Sequence, residues 1–237
     1  MHPRDEASPA DPGLREVLRW VEEVLGCRVH GAEEVQSLWS GYGSSLRLAL
    51  GAGGPAPRVI VKHVEPPAVE EHPRGWSGRA SHARKLQSYE AEQTFYGDWL
   101  REPVDAYRTA GCFAAERRDS GFRFLLEDLD GAGFSRRCGG PDGSEIEDRD
   151  IQGCLEWLAA CHGAHLRCEG SGPSEAAPAG LWPIGTYWHL ATRQDELAAM
   201  EDQVLKEAAP HLDALLRSCP FQTTAHGDAK VTIFCFS

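Results

Sequence analysis

Long hydrophobic runs are missing from this sequence. No apolar stretch reaches the ~18 residues needed to cross a bilayer, and the N-terminus, Met1-His2-Pro3-Arg4-Asp5-Glu6, has no apolar signal core. Basic charge is scarce as well: 24 Lys and Arg stand against 36 Asp and Glu, a formal net charge of -12. That balance repels nucleic-acid phosphates and anionic lipid, so neither nucleic acid nor membrane is expected as a partner. The few basic residues between Arg74 and Lys85 are the one local exception. With nothing directing secretion, the eight cysteines read as reduced thiols and the expected location is cytoplasmic.

Three of those cysteines, Cys154, Cys161 and Cys168, recur every seven residues, with His162 and His165 close by. A step of seven separates ligands by about 10 Å along a helix axis, too far to share one coordination sphere. Buried small hydrophobes are the reading that spacing favours. At 237 residues the chain suits one large domain or two lobes.

Residues 1–13, rich in Pro, Asp and Ala, are expected as a loose tail. Apolar residues at 14, 17, 18, 21, 24 and 25 predict an amphipathic helix that Gly26 ends. Strands are predicted over 35–39 and 46–50, flanking a glycine hairpin, Gly41-Tyr42-Gly43-Ser44-Ser45. A third, β-branched strand follows over 59–64, and 66–81 reads as a loop. Further along come a helix over 82–99, a strand over 122–126, a glycine-rich loop over 131–143 and a helix over 148–166. Ile151, Leu155, Leu158, Ala159 and His162 are assigned to the inner side of that last helix, His162 as a packed residue. A linker over 169–179, an aromatic-rich segment over 182–190 and a helix over 196–217, broken or kinked near Pro210, complete the pattern.

Four groups of residues carry chemistry. A glycine hairpin lets backbone N–H groups approach phosphate oxygens closely, and Ser44 and Ser45 add hydroxyl donors. Lys62, inside the apolar run Val59-Ile60-Val61-Lys62-His63-Val64, must either snorkel to water or meet an anion, because an unpaired buried ammonium is costly. On the 82–99 helix, an advance of 100° per residue puts Tyr89, Glu92, Tyr96 and Trp99 in one stripe, with Glu90 pointing away. If a glutamate of this helix meets Lys62, Glu92 is therefore the one. Finally, His226-Gly227-Asp228 supplies a carboxylate on a tight turn, the group needed to accept or orient the proton of an attacking hydroxyl.

These motifs, in this order, resemble the kinase-like phosphotransferases grouped around aminoglycoside phosphotransferase and choline kinase, most closely the ecdysteroid-kinase-like branch. The resemblance rests on His226-Gly227-Asp228-Ala229-Lys230 with Phe234-Cys235-Phe236-Ser237 beyond it. It rests also on Val59 to Val64, Ser88-Tyr89-Glu90-Ala91-Glu92-Gln93-Thr94-Phe95-Tyr96, Leu125-Leu126-Glu127-Asp128-Leu129 and Trp182-Pro183-Ile184-Gly185-Thr186-Tyr187-Trp188. It covers about residues 35–237. It implies a bilobal, protein-kinase-like α+β fold, with a complete antiparallel-sheet N-lobe over 14–130 and a partial, helical C-lobe over 131–237. It further implies ATP as phosphoryl donor, Mg2+, and a small-molecule alcohol, steroid-like or other, as acceptor. Nucleotide would be held by Gly41, Gly43, Ser44, Ser45, Lys62, Glu92 and the main chain of Glu127 and Leu129, where side chains matter little. Asp228 would be the catalytic base, with His226 bracing its loop.

The sequence also departs from that family. Where the family has a metal-binding asparagine, five residues beyond the aspartate, this chain has Ile233, which carries no oxygen. Thr232 is expected to face away on a strand, and the second metal carboxylate would lie on a strand beyond Ser237. Metal ligands are therefore expected to be missing or replaced, with transfer slowed on the order of 1000-fold. Phe234 and Phe236 are expected on a strand with an open edge. A noncatalytic nucleotide-binding pseudokinase, or an incomplete gene product, is the alternative.

Overall fold

Apolar residues alternate along the central strands, and the alternation builds one sheet with two different faces. The computed structural model describes residues 12–38, 41–67, 78–100, 104–119, 121–139, 145–166, 179–185 and 189–237, the side chains of 78–80 excepted. Residues 39 and 40, the stretch holding Arg74, Cys168, most of the 169–179 linker and residues 186–188 lie outside the described residues. The architecture is α+β. Helix α1 (Pro12–Leu25) precedes strands β1 (Val29–Ser37), β2 (Gly43–Leu50) and β3 (Arg58–Val64), then helix α2 (Gly78–Thr94) and strands β4 (Cys112–Arg118) and β5 (Gly121–Glu127). The five strands form one antiparallel sheet in the order β1-β2-β3-β5-β4. Helices α3 (Asp148–Ala164), α4 (Gln194–Ala199) and α5 (Gln203–Arg217) follow.

One face of the sheet carries Leu46, Leu48, Val59, Val61 and Leu125, packed on Leu14, Val17 and Val21 of α1. Each such side chain, once buried, contributes about 1.5–3 kcal/mol. Pro12 opens α1 at a position where its missing N–H costs nothing, two residues earlier than the sequence pattern predicts. Buried Arg123 of β5 closes this layer, donating to Glu16 of α1 at 2.8 Å beneath the Trp20 ring. The opposite face carries Val64, Phe122 and Phe124, covered by Tyr89 of α2 and by Tyr96. That second face holds Lys62.

Two strands differ from the sequence reading. β1 begins at Val29, well before the predicted 35–39, and β4 was not predicted at all. Both are edge strands with a single neighbour, so backbone pairing defines them and their side chains carry little alternation. Helix α2 starts at Gly78, inside the predicted loop, and widens after Thr94 into a π-helical turn at Phe95–Trp99, where Leu100 N–H reaches Phe95 C=O at 2.8 Å.

Helix α3 is turned relative to its predicted orientation. Ile151 and Leu155 are exposed, and the buried residues are Asp150 and Cys154. The cause is the Asp150 carboxylate, which accepts from Arg136 at 2.7 Å, from the Glu147 N–H at 3.0 Å and from the Cys138 thiol at 3.3 Å. A carboxylate with three donors outweighs the modest gain of burying Ile151 instead. The single helix predicted over 196–217 is two, α4 and α5, broken before Asp202, whose side chain caps α5 through the Leu205 N–H at 3.1 Å. Pro210 lies inside α5.

The last residues also differ from expectation. Val231–Ile233 forms a 3-10 turn rather than a strand. Phe236 exchanges two backbone hydrogen bonds with Arg136, whose guanidinium covers its ring at 4.8 Å, and Phe234 packs on Trp157. Neither is left on an open edge.

Candidate functional site

Lys62 and Glu92 meet on the α2 side of the sheet. The Lys62 ammonium donates to both oxygens of the Glu92 carboxylate, at 2.7 and 2.6 Å. Both side chains are about three-quarters enclosed, so the pair is screened less than a surface bridge. The ammonium also sits over the rings of Tyr89, 5.1 Å away, and Phe124, 5.6 Å away. Burial, and next the Glu92 charge, push the Tyr89 hydroxyl up to about 12, so Tyr89 stays neutral beside the pair. Glu90, on the other side of α2, pairs with Arg117 at the surface.

The glycine hairpin leads straight into this pair. In the β2–β3 register Ser45 lies opposite Lys62, Ser44 opposite His63 and Gly43 opposite Val64. Directly opposite residues share a face, so Ser45 stands on the face of Lys62 and alternation turns Ser44 to the other. Gly41 and Gly43 have φ of 72° and 116°. At Gly43 the demand is packing: a Cβ there would lie 2.1 Å from the His63 carbonyl oxygen. Tyr42, fully buried between the two glycines, hydrogen bonds through its hydroxyl to His82 of α2 at 2.6 Å. The hairpin is thereby tied to the helix that supplies Glu92.

Residues 128–130 leave the sheet at the end of β5. Here side chains form charge pairs that the sequence did not reveal. Buried Asp128 takes Arg47 Nε at 3.0 Å and Arg58 Nε at 3.2 Å, while Asp130 is bound by Arg47 and Arg137. The Glu127 carboxylate accepts from Arg108 and from the Gly111 N–H. Burial, the largest single influence, raises its pKa, but the Arg108 and Gly111 hydrogen bonds and the Arg108 charge together outweigh it, and the net shift is downward. The Leu129 carbonyl accepts the Phe134 and Ala132 amides at 2.9 and 3.2 Å.

His226 and Asp228 lie on a separate loop, held by α3. Trp157 of α3 is edge-on to His226 and to Phe234, and its indole N–H donates to the Arg108 carbonyl at 2.6 Å. The His226 N–H donates to His162 Nε2 at 3.1 Å, and the Thr223 hydroxyl donates to the His162 carbonyl at 2.6 Å. Desolvation by the packed rings lowers the His226 pKa against the opposing pull of Asp228. Asp228 is exposed, with Lys230 3.5 Å from its carboxylate. Among the described residues no hydrogen bond, ion pair or ring contact joins this loop to Lys62 or Glu92. The connection is indirect, from Glu127 through Arg108 and Trp157 to His226.

The residues around Asp228 do not fit a divalent metal. Ile233 presents an aliphatic side chain, Lys230 places a cation against the carboxylate, and no three His, Cys, Asp or Glu side chains among the described residues are grouped for one ion. Sequence reasoning missed Arg47, Asp128, Arg108 and Trp157. Arg47 on a strand, Arg108 and Asp128 in connecting segments and Trp157 on a helix show no partner in sequence until the fold supplies one. No protein-family model and no curated protein matches this chain.

Proposed function

We propose that this protein is a two-lobed, kinase-like phosphotransferase relative, with a nucleotide phosphate site on the sheet and α2. The observation that carries the reading is the Lys62–Glu92 pair at 2.6 Å, facing Ser45 and joined to a glycine hairpin that α2 itself anchors. A lysine held by a carboxylate keeps its ammonium in place, ready for phosphate oxygens. In the reaction the P–O bond to the nucleoside diphosphate breaks and a P–O bond to a small-molecule alcohol forms. The hydroxyl proton passes to Asp228. ATP is the expected donor, and a steroid-like or other alcohol the acceptor. No step is assigned to Mg2+, since the residues beside Asp228 do not suit it.

The replaced metal position supports a second reading, a noncatalytic nucleotide-binding protein with the same phosphate site. The two separate cleanly. Nucleotide is expected to raise the melting temperature, and Lys62→Ala to abolish the rise. An active enzyme also consumes ATP with an alcohol library and stops in Asp228→Asn, whereas the binding protein shows no turnover. No nucleotide-dependent shift would sink both. The described residues include no helix long and apolar enough to cross a membrane, and a cytoplasmic location with neither nucleic acid nor membrane as partner goes with this reading.

A further inference from the structure

We infer that His162 is a positioning residue for the His226-Gly227-Asp228 loop, and that it holds the loop only while its imidazole is unprotonated. The inference rests on the phosphotransferase-like reading of Asp228. Its own observation is the contact between the His226 backbone N–H and His162 Nε2 at 3.1 Å. A backbone N–H can only donate, so Nε2 must accept, and a ring nitrogen accepts only when it carries no proton. The neutral tautomer with its proton on Nδ1 satisfies the contact.

Two further contacts converge on the same short stretch. The Thr223 hydroxyl donates to the His162 carbonyl, three residues before His226, and Trp157, just over a helical turn before His162, sets its ring against His226. Of the three, only the His162 Nε2 bond can be switched off by a proton. When Nε2 gains one, two N–H groups face each other and the loop loses its backbone hydrogen bond to α3 at the residue two positions before Asp228.

The titratable and charged groups on the elements packed around His162 fall into three sets. On the loop and just beyond it are His226, Asp228 and Lys230. On the segment before β4 are Tyr107 and Arg108, and on α3 itself Cys161 and His165. Burial is the main cause that lowers the pKa of His226, Asp228 raises it, and His162 adds a smaller lowering. The aspartate two positions beyond His226 is the group whose placement depends on this contact.

The test is backbone amide exchange at His226 in the 237-residue chain, followed by NMR from pH 5 to 8 together with the ring resonances of His162. Protection of that amide, corrected for intrinsic exchange, is expected to fall on the order of tenfold as the His162 imidazole protonates. His162→Gln offers an amide oxygen that accepts but does not titrate, and is expected to keep part of the protection and lose the pH step. His162→Ala is expected to show low protection throughout. Unchanged wild-type protection across the imidazole titration would overturn the inference, and so would a pH step that persists in His162→Gln. The wild-type titration decides even if a substitution unfolds the chain. Turnover is not needed for this readout. A pH step without phosphotransfer would leave the role of His162 standing and remove only the active-enzyme reading, and phosphotransfer without the step would sink only the role of His162.

Discussion

Two glycines of the hairpin do different work. Gly41 has open space around its α-carbon, so only its positive φ calls for glycine. Gly43 combines a φ of 116° with a β2–β3 approach so close that a methyl group would overlap the His63 carbonyl. Substituting alanine forces either the strand pair apart or the turn open. Gly43→Ala is therefore expected to cost at least ~2 kcal/mol, read as a lower urea midpoint at unchanged slope. A midpoint within error of wild type would mean that the strand pair adjusts freely. Lys62 is different: because its ammonium has Glu92 and two rings around it, the residue matters for charge placement. Glu92→Gln should keep the fold and weaken nucleotide binding, measured as a smaller nucleotide-dependent rise in melting temperature. An undiminished rise would show that Lys62 needs no carboxylate.

At the scale of elements, helix α3 shows electrostatics choosing an orientation. Its exposed Ile151 and Leu155 offered one face, and Asp150, with Arg136, Cys138 and the Glu147 amide around it, selected another. The Asp150 carboxyl is held well below the usual carboxylate range, first by the Arg136 hydrogen bond and then by the Glu147 N–H. A depressed folded pKa means that its stabilisation is complete above the unfolded value of ~3.9 and is lost as pH falls further. The melting temperature is expected to drop below about pH 4. Asp150→Asn is expected to melt lower at pH 7 and to lose less on acidification. Parallel melting curves for the two proteins between pH 3 and 7 would refute the assignment. The same carboxylate joins α3 to residues 136–138, and through Phe236 to the end of the loop carrying Asp228.

Across the whole molecule, apolar burial is concentrated in the sheet. Leu48, Val59, Val61, Phe124 and Leu125 are fully buried, whereas Val204, Leu205, Leu212, Leu215 and Leu216 of α5 stay exposed. Local stability should follow that distribution. Hydrogen exchange followed by mass spectrometry is expected to leave β2, β3 and β5 as the slowest segments and α5 among the fastest. Slow exchange in α5 at the level of β3 would mean that its apolar stripe is covered in solution. The candidate site spans both regimes, with Lys62 and Glu92 beside the buried sheet and His226 and Asp228 on an exposed loop.

The sequence by itself determined what alternation and helical period can encode: β3 and β5 as buried strands, α1 as an amphipathic helix, and Glu92 rather than Glu90 on the Lys62 side of α2. These are local signals, because a strand or helix repeats its pattern within a few residues. The tertiary structure alone decided which elements carry no pattern, namely the edge strands β1 and β4, and which way α3 turns. It also paired Arg47 with Asp128, Arg108 with Glu127 and His162 with the His226 amide, contacts between residues 81, 19 and 64 positions apart. The reason is physical: a lone charged or polar residue looks the same in sequence whether it is solvated or paired, and only the fold brings its partner within reach.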